Sequence, residues 1–406
     1  MPKIGIDLRP LQSGSRFRGI GQVLIQVTNQ LLKHFDENNE RFEVFFYQEN
    51  NEKFTDPEQL LNIPTALNWQ KVITNEDRTS EGTFSKLNKY LAKKNKIETN
   101  FLDGFIQFDF KYGVPTDTAT LLIEHDLVLP LFWNRYYDNF VAKMPASFLW
   151  KNQVASKLFK TFYVKNRREI VNSANQIVAI SETTKNDLIK LLDVPAEKIS
   201  VIYHGIEEIS DVEGGQKNAF LTKPFLFFIG GTDGRREIDQ LVHAFDQLKN
   251  DGHDIQLALA GADFKSLESI KEPSIATAIK NSNYQKDILL IGFVDEYTKA
   301  KLYSETQAFV FPSLYEGFGL PLLEAMQRHA LVITYDNSAI REIGQDYVIY
   351  ANNGGELFST IQNVLKMNPT EATTMKQRAF EYTKSFSWQK SGQQYFELIA
   401  EMTNNK

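Results

Sequence analysis

The chain has 406 residues, 45 basic and 51 acidic, for a formal charge of −6 and a hydrophobic content of 42%. That length accommodates two or three globular domains, and the mild acidity speaks against a dedicated nucleic-acid binder. With no cysteine there is no disulfide, thiolate nucleophile or cysteine-ligated zinc. The opening MPKIGIDLRP lacks the apolar stretch of a signal peptide. No run reaches the roughly 18 apolar residues of a membrane span, so the expectation is a soluble, cytoplasmic chain that remains free to touch a membrane surface.

In chain order, Lys3–Leu8 reads as a short apolar strand, and Leu11–Gly21 as a loop with glycines and arginines. Ile20, Leu24, Val27, Leu31 and Phe35 recur at helical spacing. Phe42–Tyr47 is strand-like, while Asn50–Asn100 is polar and without a readable period. Phe105–Phe108 and Leu121–Glu124 read as strands, Leu131–Asn172 as helix broken near Pro145, Ile177–Ser181 as a strand, Glu182–Leu192 as a helix and Ile199–Tyr203 as a strand. Glu208–Ala219, with its paired glycines among polar residues, suits a linker. Strands then follow at Phe225–Ile229, Ile255–Ala260, Ile288–Ile291, Ala308–Phe311, Leu331–Thr334 and Val348–Ala351, with helices between them. Such alternation predicts α/β architecture with parallel sheets covered on both faces. Two runs of it predict two doubly wound domains. Open α/β sheets bind ligands beyond the carboxyl ends of their strands, which draws attention to the loops after strands and to a cleft between the domains.

Five such loops carry a signal. In QSGSRFRGIG (12–21), Gly19 and Gly21 would let backbone approach a ligand at a helix start, with Arg16 and Arg18 adding charge; a plain tight turn explains the glycines as well. In GGTDGRR (230–236), Arg235 and Arg236 end a strand, and guanidinium forks match phosphate oxygens; a solvated turn is the alternative. FPSLYEGFGLPLLEAM (311–326) is the most informative. Pro321 suits a first helical turn, which puts Glu316 in the loop, Glu324 about one turn into the helix, and the Gly317–Gly319 backbone towards an anion. That arrangement offers two carboxylates to hydroxyl groups with a phosphate cradle between them. Glu124, His125 and Asp126 close an apolar strand, where His125 either lines the cleft or is satisfied by backbone. Ser181 and Glu182, also at a strand end, are either site residues or the N-cap and first turn of a helix. The six histidines show no metal-binding spacing.

Together these loops resemble the retaining glycosyltransferases of family 4, with the GT-B fold, across nearly the whole chain. FPSLYEGFGLPLLEAM resembles the family's Glu-x7-Glu motif. GIDLRPL with RGIG, LLIEHDLVLPLFW, IVAISETTKNDLIKLLDVPAEKISVIYHGIE and FSWQKSGQQYFELI resemble its other signatures in the right order. The resemblance implies two Rossmann-like domains, residues 1–207 and 218–386, with 387–406 crossing back to the first. It implies that Glu316 faces the donor sugar and that Glu324 holds the ribose hydroxyls. Gly319 and Leu320 would meet sugar or phosphate oxygens through backbone. Arg235 and Arg236 would neutralise the diphosphate, Gly19 and Gly21 would close on it, and His125 would lie near the transferred sugar. The implied reaction moves a hexose-type sugar from a nucleoside-diphosphate donor to a hydroxyl of a saccharide, lipid-linked or protein-linked glycan. It proceeds with retention and without a metal or other cofactor, in bacterial surface-polysaccharide or glycoconjugate synthesis.

The chain departs from the family pattern in four places. Arg236 stands for the usual lysine and Glu237 for the usual asparagine or glycine. His204 with Gly205 stands for the usual Asn-Gly, and Arg328 with His329 for a small-residue pair. Three other readings compete: a GT-B sugar-nucleotide 2-epimerase, which would lack the Glu-x7-Glu framing; a non-catalytic partner subunit, against which the retained glutamates and arginines argue; and a solute-binding protein, which would be exported. A basic and aromatic stretch, Lys143–Arg168, with a second run at Lys86–Lys96, predicts either peripheral contact with the inner face of a membrane or an ordinary helix with a solvated face.

Overall fold

The computed structural model describes residues 1–404 apart from 14–15, 17–18, 38–41, 51–55, 75–96, 116, 137–152 and 208–220. The expected linker at 208–219, Arg18, Pro145, the run Lys86–Lys96 and the first part of the stretch beginning at Lys143 lie outside the described residues. The chain divides into two compact units, residues 1–205 with 387–406, and residues 206–386.

The first unit is built on β1 (Lys3–Asp7), β2 (Glu43–Glu49), β3 (Asn68–Thr74), β4 (Gly104–Gln107), β5 (Thr120–Glu124), β6 (Gln176–Ala179) and β7 (Ile199–Val201). They form one sheet in the order β3-β2-β1-β4-β5-β6-β7, with every neighbouring pair parallel. Its helices include α1 (Gly19–Glu37), α2 (Gln153–Ser173) and α3 (Glu182–Leu192). Strands such as β1 and β5 are buried along nearly their whole length, as parallel strands covered on both faces must be. Strand β3 does not follow that pattern. NWQKVIT is mostly exposed because it is the sheet's edge, and it lies in the stretch from which sequence periodicity yields no element. Elsewhere the expected strands are present, with ends shifted by one or two residues.

The second unit alternates β8 (Phe225–Ile229), α4 (Ile238–Asn250), β9 (Gln256–Ala260), α5 (Pro273–Asn281), β10 (Ile288–Gly292), α6 (Glu296–Glu305), β11 (Ala308–Phe311), α7 (Leu320–Gln327), β12 (Val332–Tyr335), α8 (Ser338–Gly344), β13 (Ile349–Ala351), α9 (Leu357–Leu365) and α10 (Pro369–Thr383). Its sheet runs β10-β9-β8-β11-β12-β13, again parallel throughout. Aromatic side chains dominate its centre. Phe228 stacks on Phe311 across the two middle strands with ring centroids 6.0 Å apart, and Phe309 packs against Phe227 and Tyr303. Such pairs add to the transfer free energy of burial. The last helix, α11 (Trp388–Asn404), belongs to the first unit and packs along α1.

Both sheets are doubly wound. The winding reverses between β1 and β4 in one and between β8 and β11 in the other. At such a reversal the loops leaving adjacent strands run to opposite faces and leave a crevice for a ligand. The loops after β8 and β11 hold GGTDGRR and the Glu-x7-Glu segment.

Candidate functional site

The switch point of the second unit gathers three of the sequence-selected charges. Arg235 Nη2 donates to Glu316 Oε2 at 3.1 Å and Arg236 Nε to Glu316 Oε1 at 3.3 Å. Ser313 Oγ donates to the same Oε1 at 3.0 Å. Arg235 Nε also donates to the Tyr315 carbonyl at 3.0 Å, and the Leu314 N–H to the Arg235 carbonyl at 2.8 Å. The two loops are therefore stitched through main chain as well as side chain. The three charged side chains keep only 10–17% of their surface exposed. At that burial, charge-assisted hydrogen bonds are stronger than between solvated groups. The guanidinium of Arg236 also lies 5.5 Å from the Phe311 ring centroid, a cation–π contact open to arginine's flat face.

Backbone geometry brings the pair there. Gly230 sits at φ 155°, and a Cβ on it would fall 2.2 Å from Arg236 Nη1, so a side chain at 230 would displace that guanidinium. Asp233 caps the 3₁₀ turn Gly234–Arg236 by accepting from the Arg235 N–H. Thr232 donates through N–H and Oγ to Asp263, which Lys271 also holds. On the other loop, Glu316 N–H donates to Ser338 Oγ at 3.0 Å, and Asn337 Nδ2 to the Ser313 carbonyl at 3.0 Å. Glu237, immediately after the arginines, and Ser338 adopt φ of 38° and 44°. Left-handed backbone at non-glycine residues is costly and clusters at functional sites.

Glu324 lies one turn into α7, as expected, but in a different set of contacts. Lys299 Nζ donates to its Oε1 at 2.9 Å and Tyr303 Oη to its Oε2 at 3.1 Å. Lys299 also pairs with Glu296 at 2.8 Å. Burial alone would lower the Lys299 pKa; Glu324 and Glu296 outweigh it and hold the ammonium form. Burial, reinforced by the Glu324 charge, pushes the Tyr303 hydroxyl well up, so it stays a hydrogen-bond donor. Gly319 precedes the helix at φ 105°, with Leu320 and Pro321 in its first turn. That left-handed conformation is open to glycine without strain.

The sequence reading pictures two carboxylates turned towards ligand hydroxyls. Each carboxylate holds cationic and hydroxyl groups of its own unit. Lys299, Tyr303, Ser313 and Ser338 are the contributors that sequence reasoning missed. Ser313 was within reach, since it lies inside the motif. Lys299 and Tyr303, four residues apart, share one face of α6 and look in sequence like an ordinary amphipathic pair.

The remaining candidates belong to the first unit. Gly19 opens α1 and is exposed, and a Cβ there would meet nothing within 4 Å; Gly21 is buried. His125 follows β5, with Nε2 3.1 Å from the Phe108 carbonyl. Burial lowers its pKa, with Asp109 and Asp126 opposing. Its ring lies 6.3 Å from that of His204, which in turn packs on Trp388 at 5.5 Å. Ser181 is the N-cap of α3, accepting from the Thr184 N–H at 3.0 Å. At this sheet's own switch point Arg9 forms a bidentate pair with Asp7, both fully buried, and lies over the Tyr112 ring.

Two of the basic-stretch residues are not surface residues. Arg167 is 3% exposed, bonds to Glu124 and the Asp126 carbonyl, and stacks over Phe110; Tyr163 is 4% exposed in the same core. Among the described residues, no group of three or more His, Asp or Glu side chains gathers as metal ligands would, and no helix is long and apolar enough to cross a membrane.

Comparison with known proteins gives this geometry a family. A model described as glycosyl transferases group 1 matches residues 212–382, and one described as glycosyltransferase family 4 matches residues 125–208. O-antigen chain mannosyltransferase B of Escherichia coli is 25% identical over 235 residues, 55% of this chain and 60% of its own. The serotype-specific mannosyltransferase WbdA of Escherichia coli is 21% identical over 413 residues, 94% of this chain and 46% of its own. The chain thus spans roughly half the length of these relatives. Alr3699/HepE of Anabaena, solved with UDP and glucose, has the same fold. Its TM-score is 0.65 over 99% of this chain and 100% of its own, at 15% identity. Two glycosyltransferase models in tandem, on two doubly wound parallel-sheet units with the Glu-x7-Glu loop at a switch point, show that the chain belongs to the family 4 glycosyltransferases of GT-B fold.

Proposed function

We propose that this protein transfers a hexose-type sugar from a nucleoside-diphosphate sugar to a hydroxyl of a glycan acceptor in bacterial surface-polysaccharide or glycoconjugate synthesis. The observation that carries the reading is the convergence of Arg235, Arg236 and Glu316 beside the start of α7. The named activities of the mannosyltransferase relatives, and the UDP and glucose held by HepE, support the substrate class.

In this reading Arg235 and Arg236 take the donor diphosphate, trading part of their contact with Glu316 for phosphate oxygens. Glu324 takes the ribose hydroxyls. Glu316 and the backbone at Gly319 and Leu320 meet sugar or phosphate oxygens. Gly19, Gly21 and His125 keep, as proposals, the roles that the family resemblance gives them. The bond from the anomeric carbon to the phosphate oxygen breaks, and its electron pair leaves with the diphosphate. The acceptor oxygen bonds to the anomeric carbon on the same face, and its proton passes to the leaving phosphate, so configuration is retained. The guanidinium pair supplies fixed positive charge where the leaving group becomes negative, the part a metal plays elsewhere, and no cofactor enters the scheme. The setting is the cytoplasm, with the acceptor carried as a saccharide or on a lipid or protein.

A panel of nucleotide sugars, assayed for nucleoside-diphosphate release with and without EDTA, tests this. One donor should be turned over equally in both conditions. Proton NMR of the product should show the donor's anomeric configuration. No release from any donor would refute the transfer reading, an inverted product would refute the mechanism, and loss of activity in EDTA would refute the metal-free scheme.

A further inference from the structure

Glu324 is the carboxylate that the transfer reading gives to the ribose, and two side chains of α6 hold it. Lys299 Nζ donates to Oε1 at 2.9 Å and Tyr303 Oη to Oε2 at 3.1 Å. Four residues apart, the two donors share one helix face. Each is fixed from elsewhere as well. The Tyr303 ring is 1% exposed and packs against Phe227 and Phe309, with centroids 5.2 and 5.1 Å away. Lys299 is buried and has Glu296 at 2.8 Å as a second counter-charge, so its ammonium group would not be stranded without Glu324. An ionised carboxylate offers about four lone-pair sites, two on each oxygen. Lys299 takes one on Oε1 and Tyr303 one on Oε2, which leaves one acceptor site on each oxygen. The ammonium group can only donate, and burial, reinforced by the Glu324 charge, keeps the proton on Tyr303. Both Glu324 oxygens therefore stay acceptors. The Glu324 side chain keeps 15% of its surface exposed, and a ligand reaches it there. Two acceptor sites on one pinned carboxylate match two vicinal hydroxyl groups.

We propose that Lys299 and Tyr303 are positioning residues that present the Glu324 carboxylate edge-on to a vicinal diol, and that this arrangement restricts the donor to ribonucleotides and excludes 2′-deoxyribonucleotide sugars. The proposal rests on the assignment of Glu324 to the ribose and deepens it: the α6 pair decides how strongly a missing 2′-hydroxyl is penalised. With the diol bound, both remaining acceptor sites are filled. With a 2′-deoxyribose, one acceptor on a carboxylate that cannot turn away stays unpaired, and a site built to hydrogen-bond a hydroxyl rejects the analogue lacking it for this reason. A carboxylate free to rotate would turn its unpaired oxygen to water and lose much of that discrimination. A plain ion pair tying α6 to α7 has a different signature. Its removal would weaken binding of both kinds of nucleotide alike.

Calorimetry of the full chain with UDP, GDP, ADP and CDP, each against its 2′-deoxy counterpart, tests it. The unaltered chain should bind a ribonucleoside diphosphate about 10- to 100-fold more tightly than the 2′-deoxy form, the equivalent of one charged hydrogen bond. Tyr303→Phe, which removes the hydroxyl and keeps the packed ring, should reduce that ratio by roughly threefold to tenfold, and Lys299→Met by at least as much. In both, the ribonucleotide should account for the loss. Lys299→Arg should restore part of the ratio. Lys299→Met/Glu324→Gln should discriminate no worse than Glu324→Gln alone, since both changes act on one carboxylate. Circular dichroism checks that each variant is folded. Either single variant of α6 that keeps the ratio while weakening both forms alike overturns the positioning role of its residue and leaves Glu324 on the ribose. Equal affinity of the unaltered chain for the two forms, or a ratio that Glu324→Gln leaves intact, removes Glu324 from the ribose and the proposal with it. Binding of none of these nucleotides refutes the nucleotide-donor reading itself.

Discussion

Glu316→Gln tests the arginine clamp directly. The carboxylate accepts from Arg236 and Ser313 on one oxygen and from Arg235 on the other. Glutamine keeps one acceptor, turns the other into a donor facing a guanidinium, and leaves two adjacent cations without their counter-charge. A hydrogen bond to a charged group contributes roughly 1.5–3 kcal/mol, and leaving a buried donor unsatisfied costs roughly 1–3 kcal/mol. The side chains are 10–17% exposed, so solvent screens them little, and the expected loss is about 2–4 kcal/mol. For a unit of this size that lowers its melting temperature by roughly 5–15 °C. The assay follows from composition. The four tryptophans, Trp69, Trp133, Trp150 and Trp388, all belong to the first unit. Tryptophan fluorescence therefore reports on the first unit, and circular dichroism on both. Glu316→Gln should move the dichroism transition of the second unit and leave the fluorescence transition in place. An unmoved dichroism transition would mean that these contacts contribute no more than surface ion pairs, and the account of a preorganised clamp would fail.

Replacing Arg235 and Arg236 together by Ala should cut donor turnover by at least 10²–10³, the usual cost of losing one preorganised charge or donor; near-normal rates would make them surface charges. Glu324→Gln should weaken UDP or GDP binding about 10- to 100-fold, the equivalent of one charged hydrogen bond, and unchanged affinity in calorimetry would remove Glu324 from the site. Glu237→Asn should stabilise the second unit by roughly 0.5–1 kcal/mol, because asparagine tolerates the left-handed φ of 38° better than glutamate; a lowered dichroism transition would contradict the strain argument. Burial holds His125 and His204 below their ordinary pKa of 6.5, so below pH 6.5 the unfolded chain binds protons that the folded one refuses. The first unit should then lose stability as pH falls below 6.5, with a slope of at most about 1.4 kcal/mol per pH unit for each histidine. His204→Asn should make that slope shallower in the fluorescence transition, and an unchanged slope would place the acid sensitivity elsewhere.

The sequence disclosed whatever rests on local pattern and hid whatever rests on strand order. Phe225–Ile229 and Ala308–Phe311 were legible because parallel strands covered on both faces are apolar throughout. Asn68–Thr74 was not, because an edge strand with an exposed face is mostly polar. The framing of Glu316 and Glu324 by glycine and proline pointed to a strand end and a helix start, and both are there. No local pattern brings Arg235 to Glu316, 81 positions on; that contact exists because β11 pairs with β8 after the winding reverses. Arg167 was misread for the same reason. Within a basic run it looks solvated, while its partner Glu124 lies 43 positions earlier on a strand that α2 covers. The departures from the family pattern are the informative residue. Glu237 and His329 stand at φ of 38° and 54°, where small residues are usual because backbone, not side chain, sets the constraint. His329 gains a stacked contact on Phe380 at 4.5 Å, which offsets its strain through packing. Glu237 directly follows the two arginines, so relieving its strain tests whether that bend of backbone serves stability or holds the guanidinium pair in place. Should Glu237→Asn raise stability and lower turnover together, the strain belongs to the site.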